Sequence, residues 1–108
     1  MAQYRPVSSL SDLESVFDRS TEQTSLLFLF DPFCPISWTA REEMDAIEGE
    51  VLEIDVSKGR ELTREVERVT GVRHESPQLL VLAGREARWS ASHGKIRADR
   101  VNAATAEG

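Results

Sequence analysis

Ser25-Leu26-Leu27-Phe28-Leu29-Phe30-Asp31-Pro32-Phe33-Cys34-Pro35-Ile36-Ser37 is the stretch on which the fold of this chain turns. From Ser25 to Phe30 it is a short, nearly continuous apolar run bounded by turn formers, the pattern of a central strand covered on both faces. Asp31-Pro32-Phe33-Cys34-Pro35 breaks that strand. From Ile36 onward Ala40, Glu42, Glu43, Met44, Ala46 and Ile47 favour a helix that ends near Gly49. Cys34 therefore falls where a strand gives way to a helix.

Working outward, Ser11-Asp12-Leu13-Glu14 has the form of a capping box. Leu10, Leu13, Val16 and Phe17 follow helical spacing, which predicts a helix from Ser11 to Arg19. Polar residues from Ser20 to Thr24 lead into the central strand. Tyr4 to Val7 can add a short edge strand, which Pro6 marks as peripheral. Downstream, Val51 to Val56 reads as a second strand with Leu52, Ile54 and Val56 on one face. Ser57 is placed to cap a helix carrying Leu62, Val66 and Val69, stopped by Gly71. Gln78 to Ala83 is a third apolar strand, and Gly84-Arg85 looks like a hairpin turn into Ala87 to Ala91. A last helix is expected over Lys95 to Ala104, with a frayed tail. Alternating helices and strands followed by an antiparallel hairpin predict an α/β domain. Its mixed sheet of four to five strands would be flanked by helices. The thioredoxin fold has this layout. No linker or repeat divides the chain, so one domain is expected over the whole length, its core running from about Ser8 to Ala104.

Composition agrees with this and excludes several classes of function. At 108 residues the chain can build a modest core without staples. Its net charge of -6, with no cluster of Lys and Arg, argues against a nucleic-acid partner. Leu26 to Phe30 is far too short to span a bilayer. The opening Met1-Ala2-Gln3-Tyr4-Arg5 lacks the apolar stretch of a secretory signal. With a single cysteine no internal disulfide can form, so a cytoplasmic location is expected, where thiols stay reduced.

The position of Cys34 suggests its chemistry. Unpaired N–H groups and the dipole at a helix N-terminus favour negative charge, and the thiolate is the reactive form of cysteine. Pro35 suits the first helical turn because its missing N–H had no helical partner. Ser37, three residues on, is placed to donate its hydroxyl to the sulfur. It also stands where a Cys-x-x-Cys motif would have its second thiol. Without that thiol, a mixed disulfide on Cys34 must be resolved by an outside thiol, so exchange with a small thiol is expected rather than dithiol oxidoreduction. The bland alternative is a buried, inert cysteine. The strand–Cys–Pro–x–Ser–helix context argues against it.

Ser76-Pro77 precedes the third strand. Taken alone the bond reads as trans, since only about one X–Pro bond in twenty is cis. In thioredoxin-like folds, however, a cis proline at this place faces the cysteine, and the residue before it offers backbone hydrogen bonds to the substrate.

Three segments carry a family resemblance: Cys34-Pro35-Ile36-Ser37, Thr70-Gly71-Val72-Arg73-His74-Glu75-Ser76-Pro77-Gln78, and Trp89-Ser90-Ala91-Ser92-His93. Their order and spacing resemble the monothiol bacilliredoxins of the YtxJ type, redox proteins of the bacillithiol system. The similarity runs from about Leu26 to Val101. The resemblance implies removal of bacillithiol from protein mixed disulfides, with Cys34 attacking the bacillithiol sulfur and freeing the client thiol. A second bacillithiol, or its disulfide reductase system, then regenerates Cys34. Bacillithiol would serve as co-substrate, with no tightly bound cofactor. Phe33 departs from the family pattern, where a small polar residue, often Thr, usually stands, and makes the approach to the thiol more apolar. Trp38 either crowds the site or faces the core.

Other side chains have plainer roles open to them beside a functional one. His74, two residues before Ser76-Pro77, can stabilise a thiolate or relay a proton, or simply bond backbone in its loop. Arg73 can offer charge to a bacillithiol carboxylate, or be an ordinary surface arginine. His93 is expected to contact the final helix. No metal site is expected from one Cys and two separated His. An iron–sulfur cluster completed by external thiols, as in some monothiol glutaredoxins, is the residual alternative. Arg60 to Arg68 reads as a solvated helix face with i,i+4 pairing, Leu62 and Val66 being its buried side. Two functions compete with exchange: a sensor that accumulates as the capped thiol without turnover, and a redox-inert scaffold.

Overall fold

The computed structural model describes residues 1–106. Its centre is the strand β2 (Ser25–Phe30), in which all six residues are buried. Leu26, Phe28 and Phe30 point into one half of the core and Leu27 and Leu29 into the other, as the two-residue repeat of a strand requires. Burial on both sides is possible because β2 is the middle of five strands, ordered β1-β3-β2-β4-β5. The others are β1 (Ala2–Pro6), β3 (Gly49–Asp55), β4 (Gln78–Ala83) and β5 (Glu86–Ser92). β3 runs parallel to both β1 and β2, whereas β4 is antiparallel to β2 and β5.

Four helices cover the sheet: α1 (Leu10–Arg19), α2 (Pro35–Asp45), α3 (Arg60–Thr70) and α4 (Ala98–Ala106). Leu13, Val16 and Phe17 of α1 join Leu62 and Val66 of α3 over Leu27, Leu29, Leu80 and Leu82. Ala40 and Met44 of α2 join Val101 and Ala104 of α4 over Leu26, Phe28, Phe30, Leu79 and Val81. The arrangement is the expected α/β sandwich with the mixed sheet at its upper count of five. Gly84 and Arg85 both take positive φ, 59° and 66°, which is the backbone of a two-residue hairpin turn with the right twist.

Several boundaries differ from the sequence reading. The cap of α1 is Ser9 rather than Ser11, its side chain accepting from the Asp12 N–H at 3.0 Å. Asp12 reaches back one residue beyond the cap and accepts from the Ser8 N–H at 3.1 Å, a variant of the box shifted two residues toward the N-terminus. Ser57 does not cap α3. It lies in a 3₁₀ turn (Val56–Lys58) that the Asp55 carboxylate caps at 2.9 Å from the Ser57 N–H, and α3 starts after Gly59. The last helix opens at Ala98, not Lys95, because His93–Lys95 form a separate 3₁₀ turn. Its first N–H, on Ala98, is taken by Glu43 of α2 at 2.9 Å. The edge strand starts two residues earlier than Tyr4, and the Val7 N–H still reaches the Glu53 carbonyl at 2.9 Å.

The i,i+4 pairing expected along α3 is absent among the described residues. That spacing places Arg60 against Arg64 and Arg64 against Arg68, like with like. The one ion pair within the helix is Glu65–Arg68, at i,i+3. Beside β1, Arg41 of α2 stacks 3.8 Å over the Tyr4 ring and pairs with Glu53 at 2.9 Å. Tyr4 donates to Asp45 at 2.5 Å, and burial first, then this bond, pushes its phenol well above the ordinary value. These contacts tie α2 to the parallel edge of the sheet.

Candidate functional site

β2 and β4 are antiparallel neighbours, with Leu29 opposite Gln78, so the loop that leaves β2 and the loop that enters β4 meet at one end of the sheet. Cys34 is on the first and Ser76-Pro77 on the second.

Cys34 is the N-cap residue of α2, with φ -110° and ψ 119°, and Pro35 occupies the first turn. Cys34 is partly exposed. Asp31 organises the approach to it. Its carbonyl accepts from the Cys34 N–H at 3.0 Å, and its carboxylate accepts from the Phe33 N–H at 3.0 Å. The Asp31 N–H in turn donates to Ser37 Oγ at 3.2 Å. Ser37 is fully buried, and among the described residues its hydroxyl makes no hydrogen bond to Cys34. The expected donation to sulfur is therefore replaced by a strut under the loop. The Trp38 indole N–H donates to the Pro32 carbonyl at 2.8 Å, and its ring meets Phe30 edge-on at 4.8 Å. Trp38 thus braces the loop with half its surface in solvent rather than joining the core. Phe33 is 84% exposed, and with Ile36 and Trp38 it makes the thiol's surroundings apolar.

The Ser76–Pro77 peptide bond is cis. The Pro77 carbonyl accepts from the His93 N–H at 3.1 Å, which joins the start of β4 to the end of β5. Gln78, buried at the head of β4, donates to the Arg73 carbonyl at 2.9 Å and accepts from the Glu75 N–H at 3.4 Å. His74 is held by its backbone N–H, which donates to Glu67 of α3 at 2.7 Å. The His74 Nδ1 and Ser76 Oγ atoms are buried without a hydrogen-bond partner.

His74, Ser76 and Asp31 line one open cleft of about 440 Å³ together with Arg60, Arg64 and Glu67 of α3. Arg73 lies elsewhere. It lines a shallow groove of about 340 Å³ with Glu75, Gln78, Ser92 and Lys95. In that region the Ser92 hydroxyl, and then the charges of His93, Arg73 and His74, hold the Glu75 carboxyl below the usual range. His93, with φ 54°, lines a third groove of about 230 Å³ beside Ile36 and Arg97. It thus flanks α2 and the cis proline rather than only the final helix. The structure gathers Cys34, Pro35, Ser37, Phe33, Ser76, Pro77 and His74 at one end of the sheet and turns Arg73 away from the cleft. Sequence reading missed Asp31, Gln78, Arg60 and Arg64. Asp31 carries a legible signal, since an Asp accepting from the N–H two residues on is a common turn. The others depend on where the chain returns.

The fold has close counterparts. A solved protein of thioredoxin fold superimposes with a TM-score of 0.86 at 24% identity, covering 94% of this chain and 92% of its own. Thioredoxin from Trypanosoma brucei brucei gives 0.76 at 11% identity over 97% and 89%. Thioredoxin from Fasciola hepatica gives 0.73 at 13% over 95% and 97%. These likenesses establish the fold. The sequence itself matches the family described as monothiol bacilliredoxin BrxC over residues 5–101. That match takes in the Cys34 loop, the cis proline and both strands of the hairpin, and the chain belongs to the monothiol bacilliredoxin family.

Proposed function

We propose that this chain is a monothiol thiol–disulfide exchange protein that removes bacillithiol from protein mixed disulfides through Cys34. The observation that carries the reading is a sole cysteine at the N-cap of α2, partly exposed, in a loop that shares one end of the sheet with the cis Ser76–Pro77 bond. The chain has no second thiol, so each cycle needs an external one. Cys34 attacks the bacillithiol sulfur of the client disulfide, the client thiolate leaves, and Cys34 carries the bacillithiol. A second bacillithiol then attacks that sulfur and restores Cys34, its disulfide being reduced elsewhere. Bacillithiol is a co-substrate here, and bacillithiolated proteins and the bacillithiol disulfide reductase system are the partners. The cytoplasm, where free thiols are abundant, is the compartment that suits this cycle. Among the described residues no helix is long and apolar enough to cross a membrane. Pro35 starts α2 at the thiol, Ser37 supports the loop, and Phe33, Ser76 and His74 border the incoming disulfide.

Intact-protein mass tests the reading. Reduced protein is mixed with oxidised bacillithiol and, separately, with oxidised glutathione, with Cys34→Ala as control. A rapid bacillithiol adduct that free bacillithiol reverses, much slower with glutathione and absent from the variant, is expected. A bacillithiolated client should then release many thiols per chain. Failure of Cys34 to form an adduct with either disulfide would end the exchange reading.

A further inference from the structure

Arg60, Arg64 and Arg68 repeat every four residues along α3, so their guanidinium groups stand in line on one flank of the helix. Like charges at that spacing weaken a helix. Arg68 is neutralised by Glu65 through bonds of 2.8 and 2.6 Å. Among the described residues no carboxylate pairs with Arg60 or Arg64. These two unpaired arginines are the ones that line the cleft with Asp31, Glu67, His74 and Ser76. Both carboxylates of the cleft already serve the backbone, Glu67 accepting from the His74 N–H and Asp31 from the Phe33 N–H. The Ser76 hydroxyl and His74 Nδ1, buried in the same region, have no partner. Two free cations and a free hydroxyl in one concavity make a site for an oxyanion. Two of the cleft's lining residues belong to the loops around the thiol: Asp31, whose carbonyl bonds the Cys34 N–H, and Ser76, which precedes the cis proline.

We propose that this cleft selects the small thiol by its carboxylate, with Arg60 and Arg64 holding the anion and the Ser76 hydroxyl donating from within. The inference rests on the exchange reading above and adds to it the residues that hold the co-substrate's carboxylate, Arg60 and Arg64, in place of Arg73. In the step concerned, the Cys34 thiolate attacks one sulfur of a disulfide RS–SR, a Cys34–S–S–R bond forms, and RS⁻ departs. One disulfide replaces another, so no outside oxidant is needed. The carboxylate of the retained R group sits in the cleft.

The test compares three symmetrical disulfides: anionic dithiodiglycolate, neutral 2-hydroxyethyl disulfide and cationic cystamine. Rates of Cys34 capping are read by intact mass at low ionic strength, for the wild type, for the Arg60→Gln/Arg64→Gln double variant and for Arg68→Gln. Circular dichroism checks that each variant is folded. The double variant is expected to slow the anionic reaction about fivefold, the scale of two exposed ion pairs, and to leave the neutral one within about twofold. Arg68→Gln should leave all three rates near wild type, and added salt should shrink the anionic effect. An equal loss with all three disulfides, no loss with the anionic one, or the same loss in Arg68→Gln would each overturn the cleft assignment while leaving exchange intact. Wild-type protein that the neutral disulfide fails to cap would instead overturn the exchange reading, and the cleft assignment with it.

Discussion

Replacing Ser37 by Ala separates two roles that its place in Cys-Pro-Ile-Ser allows. In the structure its fully buried hydroxyl accepts from the Asp31 N–H at 3.2 Å and supports the loop before the thiol. Losing a neutral hydrogen bond of that kind costs about 1 kcal/mol. Alanine is the better helix former by a few tenths of a kcal/mol, which offsets part of the loss at this first-turn position. For 108 residues the unfolding entropy is about 0.23 kcal/mol/K, so a net cost of about 0.5–1 kcal/mol lowers Tm by roughly 2–4 °C. The rate of Cys34 alkylation at neutral pH should stay within about twofold, because no bond from Ser37 to the sulfur is lost. Had the hydroxyl donated to a thiolate, its removal would cost about 1.5–3 kcal/mol in that form, a tenfold or larger change in reactivity. Thermal unfolding followed by circular dichroism, with iodoacetamide alkylation followed by mass, measures both. A Tm unchanged within 1 °C together with alkylation slowed about tenfold would refute the strut and restore Ser37 as a sulfur donor.

Three further outcomes follow from the same geometry. Ser9→Ala removes the cap of α1 and should cost about 1 kcal/mol, a Tm loss of roughly 4 °C, whereas Ser11→Ala should cost little, and one thermal-melt series compares the two. Arg85 bridges Glu14 and Asp18 at 2.8 and 2.6 Å, but all three side chains are more than a third exposed. Arg85→Ala should therefore cost no more than about 1 kcal/mol, and the cost should shrink in high salt, as paired melts at two ionic strengths would report. Glu75 has its carboxyl held below the usual range by the Ser92 hydroxyl and nearby positive charges. A depressed carboxyl stabilises the fold fully above its unfolded pKa and loses that contribution as pH falls through the folded value. Glu75→Gln should therefore be less stable than wild type at neutral pH, with the gap closing in acid, and urea titrations across pH 3 to 7 would show a constant gap if the idea is wrong.

The resolution of sequence into structure here divides along a physical line. The apolar run from Leu26 to Phe30, the helix after Pro35, the apolar strand from Gln78 and the Gly84-Arg85 turn depend on residues next to one another in the chain, and periodicity and turn chemistry made them legible. So too was Cys34 at a helix N-terminus, because the junction of strand and helix is itself local. Even locally, similar signals competed: Ser9 and Ser11 both offer a capping oxygen, and it is Ser9 that accepts from the Asp12 N–H. What bonds to what across the chain was not legible. Ser37 turned to Asp31 rather than to sulfur, Arg73 and His74 parted to separate grooves although adjacent, and His93 came to the cis proline. The arginines of α3 read as a solvated face, yet the antiparallel return of β4 beside β2 carried His74 and Ser76 into the same cleft as two of them. Periodicity specifies which side of an element is buried. Only the packed sheet decides which distant polar groups that burial leaves facing one another.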